Sequence, residues 1–517
     1  MQRKLQLDPA LVARCRAAAS AISESVLAFA SERTTASIER ATLRLMGVEG
    51  ADDEGIPLAN RVVEAGGRLL AGGIALPFGR ALVESQEDPT ETARLIASGR
   101  LRIARPGPGE EAAARDAATR AALSGCERIL RTRTARDQAI ARLGVGDRPL
   151  LYVIVASGNI YEDVIQAKVA ARAGAQVIAV IRSTAQSLLD YIPEGATTEG
   201  FGGTYATQQN FRIMRAALDE ASEELGRYVQ QCNYASGLCM PEMAALGAIE
   251  RLDMMLNDAL YGILFRDINM QRTLTDQAFS RLISAVGDLT INTGEDNYLT
   301  TADPLKAAHT VLASQFINEA IALRCGLKPH RIGLGHAMQM DPWMEDMFVL
   351  EVAQAWLVRE LFPESPIKYM PPTKHMTGNI FRGHVQDALF ALASVLTGQG
   401  IHLVGMMTEA MHTPHIQDRY LALEAARMVM TAARHLEQEL EIRPDGRIQA
   451  RASSVLSEAA EMLEAVARMG LFHAIEKGWF ADVSRSPAGG RGLSGVHRKA
   501  PSYFNPVADW LRRQVTE

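Results

Sequence analysis

PLLYVIVAS, residues 149–157, is apolar at nearly every position, and it opens a stretch reaching to about Pro414 in which short runs of this kind keep returning. The others are QVIAVIRS from Gln176, RYVQQCNYAS from Arg227, YGILFRD from Tyr261, DLTINTGED from Asp288, RIGLGHAM from Arg331, PIKYM from Pro366 and IHLVGMMTE from Ile401. Each is rich in β-branched and apolar residues with little alternation, as in parallel strands buried on both faces. Between them lie segments long enough for crossover helices, for example 208–226, 241–260 and 304–325. Eight such runs predict an α/β fold, a (β/α)8 TIM barrel with helical extensions at both ends. The expected division is a helical accessory region over 1–145, the barrel over 146–417, and a helical extension with a loop tail over 418–517. In a barrel of this type chemistry gathers where the strands finish.

Bulk properties narrow the class. A chain of 517 residues can hold a barrel plus further helical material, and 47% hydrophobic with 22% charged residues is ordinary for a water-soluble globular protein. A net charge of −6 argues against nucleic-acid binding, which needs a basic surface. No apolar run approaches the roughly 20 residues that span a bilayer, and the N-terminus lacks a secretion signal. Five scattered cysteines suit reduced thiols, so a cytoplasmic location is expected. His412 and His415 flank a proline and no HExxH occurs, so no metal site is read.

The strand ends carry the candidate chemistry. After the second run come Arg182, Ser187 and a glycine-rich segment, GATTEGFGGTYAT, able to cradle a phosphate or merely to shape a long loop. The third run ends at Ser236, and the fourth is read as a strand with Tyr261 at its start, an aromatic face for a planar ring or a core residue. Glu295 and Asp296 put two adjacent carboxylates at the fifth, able to meet a substrate ammonium or an arginine such as Arg266 or Arg272. The seventh offers Lys368, with Lys374 a short loop away, for a Schiff base or a carboxylate. The eighth ends at Glu409. This set suits a phosphorylated ligand beside a zwitterion: pyridoxal phosphate with an amino acid, or a phosphosugar in a lysine-dependent aldolase.

Longer segments are more specific. PLLYVIVASGNIYED (149–163), RSTAQSLLDYIPEGATTEGFGGTYAT (182–207), CNYASGLCMPEMAALGAIERLDMMLNDALYGILFRDINMQRT (232–273), INTGEDNYLTTAD (291–303) and KYMPPTKHMTGNIF (368–381) resemble the large (alpha) subunits of the lysine 5,6-aminomutase family. The resemblance runs from LDPALVARCRA near Leu7 to SYFNP near Tyr503. It implies a radical isomerase, dependent on adenosylcobalamin and pyridoxal phosphate, that moves the terminal amino group of D-lysine or L-β-lysine from C6 to C5. It further implies a small beta subunit carrying the cobalamin domain and the Schiff-base lysine, in an alpha2beta2 assembly. Transferred by position, Arg182 and Ser187 would hold the cofactor phosphate, Ser236 the ring's polar substituents, and Tyr261 would stack on the ring. Asp296 would take the substrate's distal ammonium, Lys368 its carboxylate, and Glu409 the adenosyl ribose. The alternatives are a non-catalytic, cofactor-carrying assembly subunit of the same family and a stand-alone Schiff-base aldolase using Lys368 or Lys374.

Overall fold

The structure, a computed structural model, describes residues 3–180 and 184–516, with the side chains of 184 and 185 left aside. A small strand β1 (Arg33–Thr35) precedes the barrel strands β2 (Leu150–Ile154), β3 (Val177–Val180), β4 (Gln230–Tyr234), β5 (Met254–Leu256) and β6 (Thr290–Asn292). The remainder are β7 (Ile332–Gly333), β8 (Gly335–Ala337), β9 (Lys368–Met370), β10 (Ile401–Leu403) and, near the end, β11 (Val496–Arg498). The parallel sheet runs β7-β6-β5-β4-β3-β2-β10-β9-β8. Its two edge strands are halves of one extended segment, 332–337, so the ring closes on itself as a TIM barrel. Leu334 makes the break, and the glycines on either side of it permit the close approach. A Cβ on Gly333 would lie 2.3 Å from Asn292 Oδ1, and one on Gly335 would lie 2.7 Å from the Thr293 carbonyl.

Strand alternation sorts the side chains. Leu150, Tyr152, Ile154, Val177, Ala179, Cys232, Met254 and Ile401 fill the barrel, while Leu151, Val153, Val155, Ile178 and Val180 pack outward against helices such as Ile160–Ala173 and Gln208–Leu225. Burying both sets removes the polar face that alternation would reveal, which is why the strands read as continuous apolar runs.

The expected fourth strand is corrected. YGILFRD is helical, within Ala259–Arg266, and the strand is Met254–Leu256 just before it. Asp258 explains the switch: its carboxylate accepts from the Leu260 amide at 3.0 Å and starts the helix, so Tyr261 sits on a helix at the barrel mouth.

The accessory regions interlock. Helix Pro9–Ser31 packs against both Arg447–Met469 and the barrel helix Pro304–Arg324, and β1 pairs antiparallel with β11, Arg33 opposite Arg498. The segment 484–506, expected as loop, contains only the short strand β11 and a 3-10 turn, and the helix Pro506–Thr516 follows it. Within that segment Arg485 donates to the carbonyls of Ile263 (3.0 Å) and Leu264 (2.6 Å), capping the helix that bears Tyr261. Gly490 lies against Asp267 and Asn269 with φ +80°, so close that a Cβ would meet the Asn269 nitrogen at 2.8 Å. Among the described residues no helix is long and apolar enough to cross a membrane.

Candidate active site

A cavity of about 270 Å³ opens at the C-terminal end of the barrel. Its floor is Tyr152, Ile154, Leu256, Met370 and Leu403, and its walls include Asp296, Lys368 and Glu409. Pockets of roughly 300–1,000 Å³ hold drug-sized ligands, so this one suits a smaller molecule such as an amino acid.

The polar centre is an ion pair. Lys368 points inward from the start of β9, and its Nζ lies 2.6 Å from Asp296 Oδ2, both side chains being buried. Asn297 Nδ2 donates to the other carboxylate oxygen at 3.0 Å. Asp296 stands at the start of the helix Asp296–Thr301, immediately after β6. Opposite charges held side by side at one wall form the complement of an amino acid's own ammonium and carboxylate. The arginines considered as partners for the acidic pair are engaged elsewhere: Arg266 donates to the Tyr261 hydroxyl at 2.7 Å, and Arg272 pairs with Asp190 and Asp276. Lys374 is also turned aside, its ammonium 2.6 Å from the Ala302 carbonyl.

Ser187, Ser236 and Tyr261 gather beside this cavity and are not among its lining residues. The turn Thr184–Leu188 packs against the Tyr261 helix, and the Ser187 carbonyl accepts from Leu238 at 3.1 Å, two residues beyond Ser236. Ser236 Oγ accepts from the Asp258 amide at 3.0 Å. Tyr261 is buried, with the Arg266 guanidinium 5.2 Å from its ring centroid and Phe265 beside it. Arg182 lies outside the described residues. One of the loop glycines is spent on packing: a Cβ on Gly200 would collide with the Gly203 carbonyl at 2.1 Å and approach Gly158 at 3.0 Å.

The family model of the D-lysine 5,6-aminomutase TIM-barrel domain of the alpha subunit matches residues 5–510. The lysine 5,6-aminomutase alpha subunit of Acetoanaerobium sticklandii is 52% identical over 515 residues, 99% of each chain. That of Fusobacterium nucleatum is 52% identical over 507 residues, 97% of this chain and 98% of its own. The D-ornithine 4,5-aminomutase subunit beta of A. sticklandii is 28% identical over 372 residues, covering 69% of this chain and 50% of that one. The chain belongs to the D-lysine 5,6-aminomutase alpha-subunit family.

For a lysine 5,6-aminomutase alpha-type chain, the acids around the mouth are more numerous than the motifs alone suggest. Glu409 stands at the solvent rim of the cavity, where crowding by protein pushes its carboxyl up to about 7. Behind it, burial and the Glu409 charge push Asp387 up to about 8. Beneath Asp296, burial and the charge of Asp258 push Glu295 up to about 8. Glu351 is raised by burial to about 7 and accepts from the amides of Gln339 (2.7 Å) and Met340 (2.6 Å), fixing the loop after β8. Asp258, Asp387 and Glu351 were not singled out in the sequence. A lone Asp before an apolar run is a capping signal, which was available for Asp258; the other two lie mid-helix without a signature.

Proposed function

We propose that this chain is the catalytic large subunit of an aminomutase that moves the terminal amino group of D-lysine, or of L-β-lysine, from C6 to C5 with pyridoxal phosphate and adenosylcobalamin. The observation that carries the proposal is the buried Lys368–Asp296 pair, 2.6 Å apart, lining a cavity of amino-acid size. An arriving amino acid head group exchanges one ion pair for two: its ammonium to Asp296 and its carboxylate to Lys368. This keeps the buried charges compensated throughout and leaves the substrate's side-chain nitrogen to extend toward the Ser236 and Tyr261 side.

The residues on that side fit pyridoxal phosphate. Tyr261 supplies an aromatic face, Ser187 and Ser236 supply hydroxyls, and Arg182 would add the charge for the phosphate. Gly294 lets its backbone close on the Tyr261 helix and hold that ring in place, since a Cβ there would stand 2.9 Å from Tyr261 Cβ. When bound, pyridoxal phosphate would supply a conjugated system that takes up the substrate radical while the nitrogen passes from one carbon to the next, and adenosylcobalamin would supply the radical that starts the reaction. The chain's own task is to grip the substrate head, hold its far end against the cofactor side, and keep water out of the barrel floor of Tyr152, Ile154, Leu256 and Leu403.

The partner in this reading is a small beta subunit carrying cobalamin and the resting Schiff-base lysine, in an alpha2beta2 assembly inside the cytoplasm. The alpha-subunit names of the relatives support a second subunit. So does the rim of the mouth, where Phe201 (88% exposed), Phe381 (80%) and Trp343 (79%) follow β3, β9 and β8. Large exposed apolar groups gathered at one end mark a surface made to be covered. Co-expression with a cobalamin-binding partner, followed by assay of D-lysine for 2,5-diaminohexanoate, tests the proposal; no product from a verified complex overturns it. An assembly role without catalysis predicts turnover unaffected by Asp296→Asn. The aldolase reading predicts borohydride trapping on the isolated chain, against which both lysines stand already engaged.

A further inference from the structure

We infer that the buried carboxyl pair Asp258 and Glu295 positions the two halves of the site, holding the helix of Tyr261 and the turn of Asp296 in a single register. The inference rests on the reading of those two residues as cofactor and substrate contacts.

Asp258 touches all three segments. Its own amide donates to Ser236 Oγ at 3.0 Å, its Oδ1 accepts from Leu260 of the Tyr261 helix at 3.0 Å, and its Oδ2 accepts from the Gly294 amide at 2.9 Å. Gly294 is two residues before Asp296. Glu295 completes the clamp: Oε2 accepts from Gly335 at 3.1 Å on the closing segment of the barrel, and Oε1 accepts from Asn318 Nδ2 at 2.7 Å. That amide also lies 3.4 Å from Asp258 Oδ1. There is no slack, because any Cβ on Gly294 would press on both Tyr261 and Asp258 Oδ2.

The charges around the pair explain why two acids tolerate one another. Facing them are Arg281, Tyr298 (its hydroxyl 3.5 Å from Asp258 Oδ2), Asp296 and, beyond it, Lys368. Arg281 gives its hydrogen bonds to Asn257 and Asn318 rather than to either carboxylate. Three carboxyls therefore face two cations, and one proton balances the set. Burial raises both Asp258 and Glu295, and the Asp258 charge raises Glu295 further, so the pair holds that proton. It keeps a second negative charge out of the turn that presents Asp296. A displacement of that turn by about 1 Å is the scale of error that costs roughly 100-fold in rate.

The test uses the complex assembled with its cobalamin-binding partner, comparing wild type with Asp258→Asn and Glu295→Gln. Asparagine keeps the shape but leaves one of the two amides facing an N–H. The expected result is a fall in kcat of about 10- to 100-fold together with a several-fold rise in KM for lysine, while the pyridoxal phosphate spectrum and partner binding persist. Glu295→Gln mimics the protonated acid. It should retain turnover within about threefold at pH 7 and lose the wild-type decline in kcat/KM above about pH 8.

A readout independent of turnover is the melting temperature against pH. A carboxyl raised in the folded state binds more protons there than in the unfolded chain between its ordinary value and about 8, so wild-type stability should fall as pH rises across that window and level off above it. Glu295→Gln should flatten that slope. Asp258→Asn with kcat/KM within twofold of wild type, or Glu295→Gln with unchanged pH profiles, overturns the inference. If Asp258→Asn does not fold, the Glu295→Gln profiles decide alone. If Asp296→Asn and Lys368→Ala also leave turnover intact, the failure belongs to the functional reading beneath it.

Discussion

Two buried polar regions flank the mouth, and they handle charge in opposite ways. On the accessory side, Arg40 Nε lies 2.6 Å from Glu242 and its other end reaches Asp190; Arg44 joins Glu242 (3.1 Å) to Glu194 (2.9 Å); Arg272 joins Asp190 (2.8 Å) to Asp276 (2.9 Å). Every carboxylate there meets a guanidinium. Burial opposes ionisation of Asp190, yet Arg40 and Arg272 outweigh it and hold the group well below the usual carboxylate range. Beside the barrel cavity, Asp258 and Glu295 meet amides, with a proton in place of an arginine. The first arrangement fastens the N-terminal helices to the loop around Ser187, with burial outweighing Arg272 only at Asp276, which is pushed up to about 6. The second leaves acids whose ionisation burial opposes, as is common near functional sites.

Breaking the first region should have the largest effect. Arg40→Ala combined with Arg44→Ala removes both guanidinium partners of Glu242 and is expected to cost about 3–5 kcal/mol in chemical denaturation, since a buried carboxylate is then left uncompensated. Removing both members of the Lys368–Asp296 pair with apolar residues of similar size, Lys368→Met with Asp296→Leu, should sharpen the contrast. Turnover should vanish while denaturation shifts by no more than about 1–2 kcal/mol, because a buried pair replaced whole is often neutral for stability. A smaller effect is expected from Glu409→Gln. Its raised carboxyl loses its proton near pH 7, so wild-type turnover should change between pH 6 and 8 and the glutamine variant should lose that inflection. Least of all, Arg120→Ala breaks a solvent-exposed pair with Asp116 and should move the unfolding midpoint by less than about 0.5 kcal/mol.

The barrel was legible because strands buried on both faces must be apolar throughout, and seven of the eight runs do contain the strands. The exception follows from the same physics. YGILF in the helix Ala259–Arg266 is buried on nearly every side, so helix and strand leave the same composition, and Met254–Leu256 is too short to announce itself. Leu334 gave no sign of dividing one strand in two, since the break is imposed by the neighbouring ends of Asn292 and Thr293. At the site, charge at strand ends drew notice to Asp296 and Lys368, but their pairing across 72 positions is made by barrel closure. Asp258 looks like an ordinary helix cap from its neighbours in sequence. Only the folded ring brings Gly294 to its second oxygen.

Arg485 and Gly490 grip the helix of Tyr261 from a segment made long after that helix. The nascent barrel can gather its strands once residue 403 has emerged, yet the aromatic wall beside its mouth gains its clamp only after residue 490 has followed. A premature stop codon or a protease nick near Ser484 would thus leave the cylinder's strands in place and loosen the helix of Tyr261.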